Sequence, residues 1–384
     1  MHSRLPGRLP RGRQIYLVVA ISGRAIAEAL KASGSPVAVI DGFADMDTCA
    51  AAVVSQKVSR TRFGLDRAEV LGAVHRLQSE NCLKGLFYDA ALESAPDILD
   101  AIAVDSVIGN SSATLRRCKD PKVFFPALDT KSIPYPEIRF KPVRGDSSLW
   151  LLKNSRSTGG MGVTACPEQF VHDQYTYLQR KMNGINFSLT FLANGQKIKA
   201  LGFNTLWSRA SGPGKPYLYQ GAVNQANLTE EQRCTVLDYA TRLTCEFDLV
   251  GLNSIDFILD NGQAYVLEIN PRIPATYGLY ETRHGNLIKE HMDACLHAKL
   301  SPAKGTPHLR AHAIVYATKP VQVPIGFNWP LWTADRPRPK NVIQTNEPIC
   351  SVFAGGQNAA QVRAMVCTRK KMILKNLCGP ENKS

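Results

Sequence analysis

The apolar positions fall into two regimes along the chain. Near the start, Gln14–Ile21 is an almost unbroken apolar run, closed by Ser22-Gly23. Such a run reads as a strand buried on both faces. Arg24–Ala32 then places Ile26, Ala27 and Leu30 at helical spacing, and Pro36–Ile40 is a second apolar strand ending at Asp41. Strand, turn, helix and strand make a βαβ unit. The pattern continues with a helix over Arg67–Glu80, a strand over Gly85–Tyr88, a mixed stretch over Ala91–Ile102 and a last strand at Val107–Gly109. Ser112–Leu128 reads as one helix, stopped by Ile133-Pro134-Tyr135-Pro136. From Leu149 the period shortens toward two. Leu149–Asn154 and Val163–Ala165 read as strands, Val171–Lys181 leads into a strand at Phe187–Leu192, and Asn194-Gly195 marks a turn. Glu230–Glu246 is a long amphipathic helix. Strands at Ala311–Tyr316 and Ile349–Phe353 and a helix over Asn358–Met365 lie behind it. The expected class is α/β: a basic tail (1–13), a small doubly wound unit (14–113), a larger α+β unit (114–304) and a small C-terminal module (305–384).

The stretch from Gly251 to Arg272 carries the most chemical information. Asp260-Asn261-Gly262 signals a tight hairpin between two β-rich runs. Ile255, Phe257 and Leu259 would share one face with Tyr265, Leu267 and Ile269, all apolar. Asp256, Glu268 and Asn270 would share the other. Setting Asp256 opposite Glu268 is one residue out of step with a two-residue Asn261-Gly262 turn. A three-residue loop or a bulge is therefore expected. Two carboxylates and an amide oxygen on one face are hard ligands suited to Mg²⁺. An ordinary solvated hairpin face is the alternative, but it leaves Arg272, directly behind, unexplained.

Two further segments gain weight beside that hairpin. Lys153 ends an apolar strand, and Ser157-Thr158-Gly159-Gly160-Met161-Gly162 follows as a loop whose backbone N–H groups can approach a polyphosphate. No G-K-[ST] closes it, so it is not a Walker A loop. Tyr177–Ser188 is a strand leading to a turn at Asn183-Gly184, able to present backbone groups to a base edge. The first turn, Ser22-Gly23, has no G-x-G-x-x-G and reads as a structural crossover.

Composition narrows the picture less. The 384 residues carry 46 Lys and Arg against 32 Asp and Glu, a net charge of +14 that favours anionic partners. Arg4, Arg8, Arg11 and Arg13 crowd the tail, but the other basic residues are dispersed, and no aromatic–basic RNA-binding motif appears. Neither nucleic acid nor a membrane is an expected partner; no apolar run approaches the length of a membrane span. The ten cysteines (Cys49, Cys82, Cys118, Cys166, Cys234, Cys245, Cys295, Cys350, Cys367 and Cys378) include no C-x-x-C pair. That points to a reducing, cytoplasmic setting. No Ser/His/Asp or Cys/His set stands out. His284 and His291 read as surface or packing residues, and Arg283 as a candidate for a substrate carboxylate.

Taken in order, these elements resemble the ATP-grasp superfamily of carboxylate–amine ligases over roughly residues 14–300. Asp256-Phe257 followed by Leu267-Glu268-Ile269-Asn270-Pro271-Arg272 is the most specific part. Phe191-Leu192-Ala193-Asn194-Gly195 and Val266–Arg272 look closest to the branch containing tyramine–glutamate ligase, from biosynthesis of one-carbon carrier cofactors of the methanofuran type. The resemblance implies a Rossmann-like domain before an ATP-grasp fold, with ATP and Mg²⁺ (or Mn²⁺) as cofactors. It implies small carboxylate and amine substrates and leaves a homo-oligomer open. Lys153 would contact the α/β phosphates, with Ser157, Thr158, Gly159, Gly160 and Gly162 closing over the γ-phosphate. Gln179, Arg180, Lys181 and Met182 would form the adenine hinge, and Asn186 would sit near the ribose. Asp256, Glu268 and Asn270 would hold metal, and Arg272 would stabilise the transferred phosphoryl group. Two departures stand out. Arg180-Lys181 replaces the acid or aromatic pair usual in the hinge. At Lys119-Asp120-Pro121-Lys122, neither lysine can be assigned to phosphate. An ATP-dependent carboxylase subunit and a catalytically silent nucleotide-binding scaffold are the competing expectations.

Overall fold

The computed structural model describes residues 13–141, 147–167, 173, 175–208, 217–281, 284–302 and 308–378. Most of the basic tail and Arg283 lie outside the described residues, as do Val171 and His172 of the expected lead-in.

The first sheet is parallel, in the order Val54–Lys57, Val37–Asp41, Arg13–Ala20, Asn81–Tyr88. Alternation explains how one strand serves two layers. Ile15, Leu17 and Val19 face Val70, Ala73, Val74 and Leu77 of the helix Arg67–Glu80. Tyr16, Val18 and Ala20 face Ile26, Ala27 and Leu30 of the helix Arg24–Ala32 on the other side. The expected strand at Val107–Gly109 shrinks to one parallel bridge between Leu86 and Val107. The strand before it is longer than the apolar run, because alternating Asn81–Lys84 continues the ladder at the sheet's edge.

Ser112–Leu128 is not one helix. It divides into Ser112–Lys119 and Pro121–Thr130. The residue before a proline is driven out of helical conformation. Asp120 obeys this, at φ −85°, ψ 110°, and its carboxylate caps the second helix by accepting from Lys122 N at 2.9 Å. The break decides the fate of both lysines. Lys119 ends the first helix against the central sheet, whereas Lys122 lies over the Phe140 ring at 6.0 Å.

A four-stranded antiparallel sheet follows, in the order Ile138–Arg139, Thr176–Arg180, Trp150–Asn154, Val163–Ala165. The central sheet has eight strands: Gln263–Asn270, Val250–Asp260, Ile185–Asn194, Ile198–Ser208, Tyr219–Val223, Arg310–Tyr316, Pro348–Gly355 and Thr333–Ala334, in that order. The strands of the C-terminal segment thus extend the same sheet. The helix Glu230–Phe247, opened by a capping box between Thr229 and Gln232, covers one face through Val236, Ala240, Leu243 and Phe247. The helix Asn286–His297 covers the other through Leu287, Ile288 and Ala294. The last helix, Ala359–Cys378, runs well past the expected end at Met365, because Val366 and Ile373 keep packing on the sheet beyond it. Among the described residues no helix is long and apolar enough to cross a membrane.

Candidate active site

The hairpin meets its geometric constraint with a bulge. Asp260 pairs with Gln263 across Asn261-Gly262, and the register shifts between Asp256 and Phe257, so that Asp256 still faces Glu268. The extra residue is Leu267. It corrects the expected apolar face: beyond the bulge the core side carries Ala264 and Val266 with Ile269, opposite Ile255 and Phe257. Tyr265 and Leu267 leave the core. Leu267 instead lines a cavity beside Glu268. One inserted residue thus puts both carboxylates on the cavity side without sacrificing a core position.

That cavity measures about 780 Å³, within the range of small-molecule sites. It lies between the four-stranded and eight-stranded sheets, which the hinge Gln179–Met182 connects. Asp256 and Glu268 face each other from paired strands, and the next pair brings Ser254 opposite Asn270. Lys119 Nζ lies 3.4 Å from Glu268 Oε2 and 3.5 Å from Asn270 Oδ1. Arg272 Nη2 donates to Asn270 Oδ1 at 3.2 Å. Behind both cations stands Glu93, its side chain only 1% exposed, 3.0 Å from Arg272 Nε and 3.3 Å from Lys119 Nζ. Asp89 accepts from the N–H groups of Ile21 (2.8 Å) and Ser22 (3.4 Å). Burial pushes it up to about 6, against the pull of those donors and Arg272.

The electrostatics divide the two facing acids. Burial and the neighbouring Glu268 push the Asp256 carboxyl well up, against Arg272 and Lys119. Burial would raise Glu268 too, but Lys119, Lys153 and Arg272 outweigh it and hold it low. Lys153 is lowered by burial, with Glu268 and Asp256 working the other way. Lys119 and Arg272 act on both facing acids, and Lys153 acts on Glu268 as well. The donor set fits Mg²⁺: two carboxylates and an amide oxygen leave room for water and phosphate oxygens. Among the described residues no cluster of three or more His, Cys, Asp or Glu offers a competing metal site.

Most of the remaining expected residues also border the cavity. Lys153 and Thr158–Met161 form one wall. Gly159 and Gly160 adopt φ of 61° and 76°, and Gly159 O accepts from Tyr219 N at 3.0 Å. Ser157 borders a smaller adjoining space shared with Lys153 and Glu268, while Gly162 sits against the Ser157 side chain. In the hinge, Gln179 is 2% exposed and its Nε2 has no partner among the described residues. An orphaned buried donor of this kind suits a ligand acceptor. The N–H groups of Arg180 and Lys181 are already bonded to Glu137 O and Leu149 O, each at 2.8 Å. Neither of those two N–H groups is free to meet a ligand. Asn186 lines the same wall but is exposed. His291 is buried, accepting from Leu252 N at 2.8 Å, and belongs to packing; His284 is exposed.

Sequence reasoning missed Asp89 and Glu93. The available signal was positional, since both follow the C-terminal end of a parallel strand, where α/β sheets place their ligands.

Residues 118–276 match the family described as ATP-grasp domain, and the described residues adopt the mixed α/β ATP-grasp fold. The solved structures it is similar to include a biotin carboxylase from Campylobacter jejuni in complex with β-γ-ATP (TM-score 0.69, 13% identity, 94% of this chain and 91% of that one). An L-amino acid ligase from Bacillus licheniformis matches at TM-score 0.66 and 13% identity, over 94% and 98% of the two chains. N5-carboxyaminoimidazole ribonucleotide synthetase from Thermotoga maritima matches at 0.63 and 16%, over 94% and 98%.

Proposed function

We propose that this protein is an ADP-forming, ATP-dependent ligase that activates a carboxylate as an acyl phosphate and joins it to an amine. One observation carries the reading. Asp256, Glu268 and Asn270 line one cavity with Lys153 and Arg272, Lys119 borders the smaller space beside it, and the same cavity holds a glycine-rich wall and a hinge whose buried donor has no partner among the described residues.

Asp256, Glu268 and Asn270 would hold Mg²⁺, which supplies charge neutralisation and polarisation of phosphate oxygens. Lys153 and Arg272 add fixed positive charge where two anions, the carboxylate and the triphosphate, must meet. Glu93 holds Arg272 in place from behind. Thr158–Met161 exclude water, so that the activated acyl group meets the amine before it hydrolyses. In the first step a substrate carboxylate oxygen bonds to the γ-phosphorus as the bond to ADP breaks. In the second the amine nitrogen bonds to the acyl carbon, and phosphate and a proton leave. No protein nucleophile is required. The narrower assignment, to biosynthesis of one-carbon carrier cofactors with an amino acid such as glutamate, rests on Phe191–Gly195 and Val266–Arg272 alone. A second reading, an ATP-dependent carboxylase subunit, is favoured by the likeness to biotin carboxylase over 94% of the chain.

ADP release with Mg²⁺ across a matrix of carboxylates and amines tests the proposal. Turnover that needs both partners supports it. Bicarbonate-dependent release without an amine supports the carboxylase instead, and nucleotide binding with no release under any condition refutes both.

A further inference from the structure

The cavity has a second charged end, away from the facing acids. Arg24 opens the helix after the first strand, and Asp335 follows the strand Thr333–Ala334, 311 positions later. Arg24 Nε donates to Asp335 Oδ1 at 2.7 Å, and Ser22 Oγ donates to the same oxygen at 3.1 Å. Arg24 Nη1 reaches Glu28 Oε2 at 2.7 Å. The side chains of Arg24 and Asp335 are 12% and 22% exposed, and both line the cavity. Asp335 stands in the left-handed region, at φ 57°. Burial would raise its carboxyl, but Arg24 with the hydrogen bonds of Ser351 and Ser22 outweighs burial and keeps it low, so both charges persist at neutral pH.

Asp41 and Asp45 lie close enough to feel the Asp335 charge, and an aromatic wall completes the surroundings. The Phe353 ring lies 5.8 Å from the Arg24 guanidinium and 5.8 Å from the His312 ring. Burial pushes His312 down to about 4, so it stays neutral, paired through Nε2 with Tyr219 Oη at 2.5 Å. Two connections lead to the phosphate end. Ser22 shares Asp89, which feels the Arg272 charge; Tyr219 feels the charge of Asp256.

A largely desolvated ion pair seldom repays its own desolvation, and well-packed apolar residues often serve stability as well. This pair forms part of a cavity wall, where its dipole faces whatever enters. A lone anion would meet Asp335 and Glu28. A lone cation would meet Arg24. A species with both charges a few ångströms apart satisfies both groups together. We propose that Arg24 and Asp335 hold the α-carboxylate and α-ammonium of an amino-acid substrate, with Phe353 and His312 as the uncharged wall beside it. This inference rests on the ligase reading, because it makes this end of the cavity the seat of a second substrate.

Calorimetric titration of the twenty proteinogenic L-amino acids into full-length protein, with and without saturating MgADP, tests it. The best binder is then compared with its decarboxylated amine and its deaminated acid. Each counterpart should bind at least tenfold more weakly. Asp335→Asn and Arg24→Gln should each weaken the amino acid at least tenfold, with MgADP affinity within twofold of wild type. Should a single variant fail to fold, the double variant Arg24→Met/Asp335→Leu removes both charges at once and should show the same loss. Equal binding of the amine or the acid alone, undiminished binding by the variants, or no amino-acid binding at all overturns the proposal. Failure to bind MgADP strikes the ligase reading instead, and the nucleotide-free titrations still decide the amino-acid site.

Discussion

Replacing Glu93 with glutamine removes one negative charge from between two cations while keeping the shape of the side chain. The wild-type carboxylate lies 3.0 Å from Arg272 Nε and 3.3 Å from Lys119 Nζ, with its side chain 1% exposed. At an effective dielectric constant of about 20, each contact is a gross attraction of about 5 kcal/mol before desolvation. Removing one partner of such a buried set costs about 3–5 kcal/mol net. Glutamine keeps an acceptor oxygen, so about 3 kcal/mol of lost stability is expected. The kinetic signature is more telling. Lys119 and Arg272 become under-neutralised, so the variant should bind MgADP several-fold more tightly. The guanidinium is no longer anchored, and about 2 kcal/mol of lost transition-state stabilisation lowers kcat roughly 30-fold. Calorimetry with MgADP, steady-state ADP release and chemical denaturation separate the three effects. A variant with kcat within threefold of wild type and unaltered nucleotide affinity would show that Glu93 is only a packing acid.

Three other outcomes follow from the geometry. Asp256→Asn and Glu268→Gln should abolish ATP turnover while the nucleotide-free protein stays folded by circular dichroism; ADP formation at the wild-type rate would contradict the site. Gly160→Ala puts a Cβ 1.9 Å from Tyr217 O at a φ of 76°, so the loop must lift. KM for ATP should rise about tenfold for the ~1–2 kcal/mol of left-handed strain, and an unchanged KM would be inconsistent with loop closure over phosphate. Burial pushes His291 down to about 4, against an unfolded value near 6.5, so the unfolded chain binds the extra proton as pH falls through that window and stability is lost. Its contribution, present above about 6.5, should shrink by about 2 kcal/mol at pH 5. The stability gap between wild type and His291→Gln, measured by urea denaturation at pH 7.5 and 5, should narrow accordingly; a constant gap disproves the assignment.

The parts readable in the sequence were those set by a local period. Gln14–Ile21 could only be a strand buried on both faces, and parity between Asp256 and Glu268 demanded an irregularity. Parity did not say where the extra residue would fall. It sits between Asp256 and Phe257 on the pairing ladder, which moved Tyr265 and Leu267 off the core face. The single helix expected over Ser112–Leu128 failed at Pro121, a local signal overridden by apolar spacing on both sides. Asp335 and Arg24 were beyond reach for another reason. Arg24 and Asp335 are 311 positions apart, and no pattern along one segment shows that two distant charges will share a wall.

The Leu267 bulge also insulates the reacting end from the ribbon's tip. The misfit is absorbed between Asp256 and the Asn261-Gly262 bend, where a Cβ on Gly262 would meet open space and its carbonyl accepts from Gln232 Nε2 at 3.2 Å. The tip is thus a natural attachment point. A reporter dye or an inserted peptide placed there would ride on the same two strands as the carboxylates without shifting their alignment.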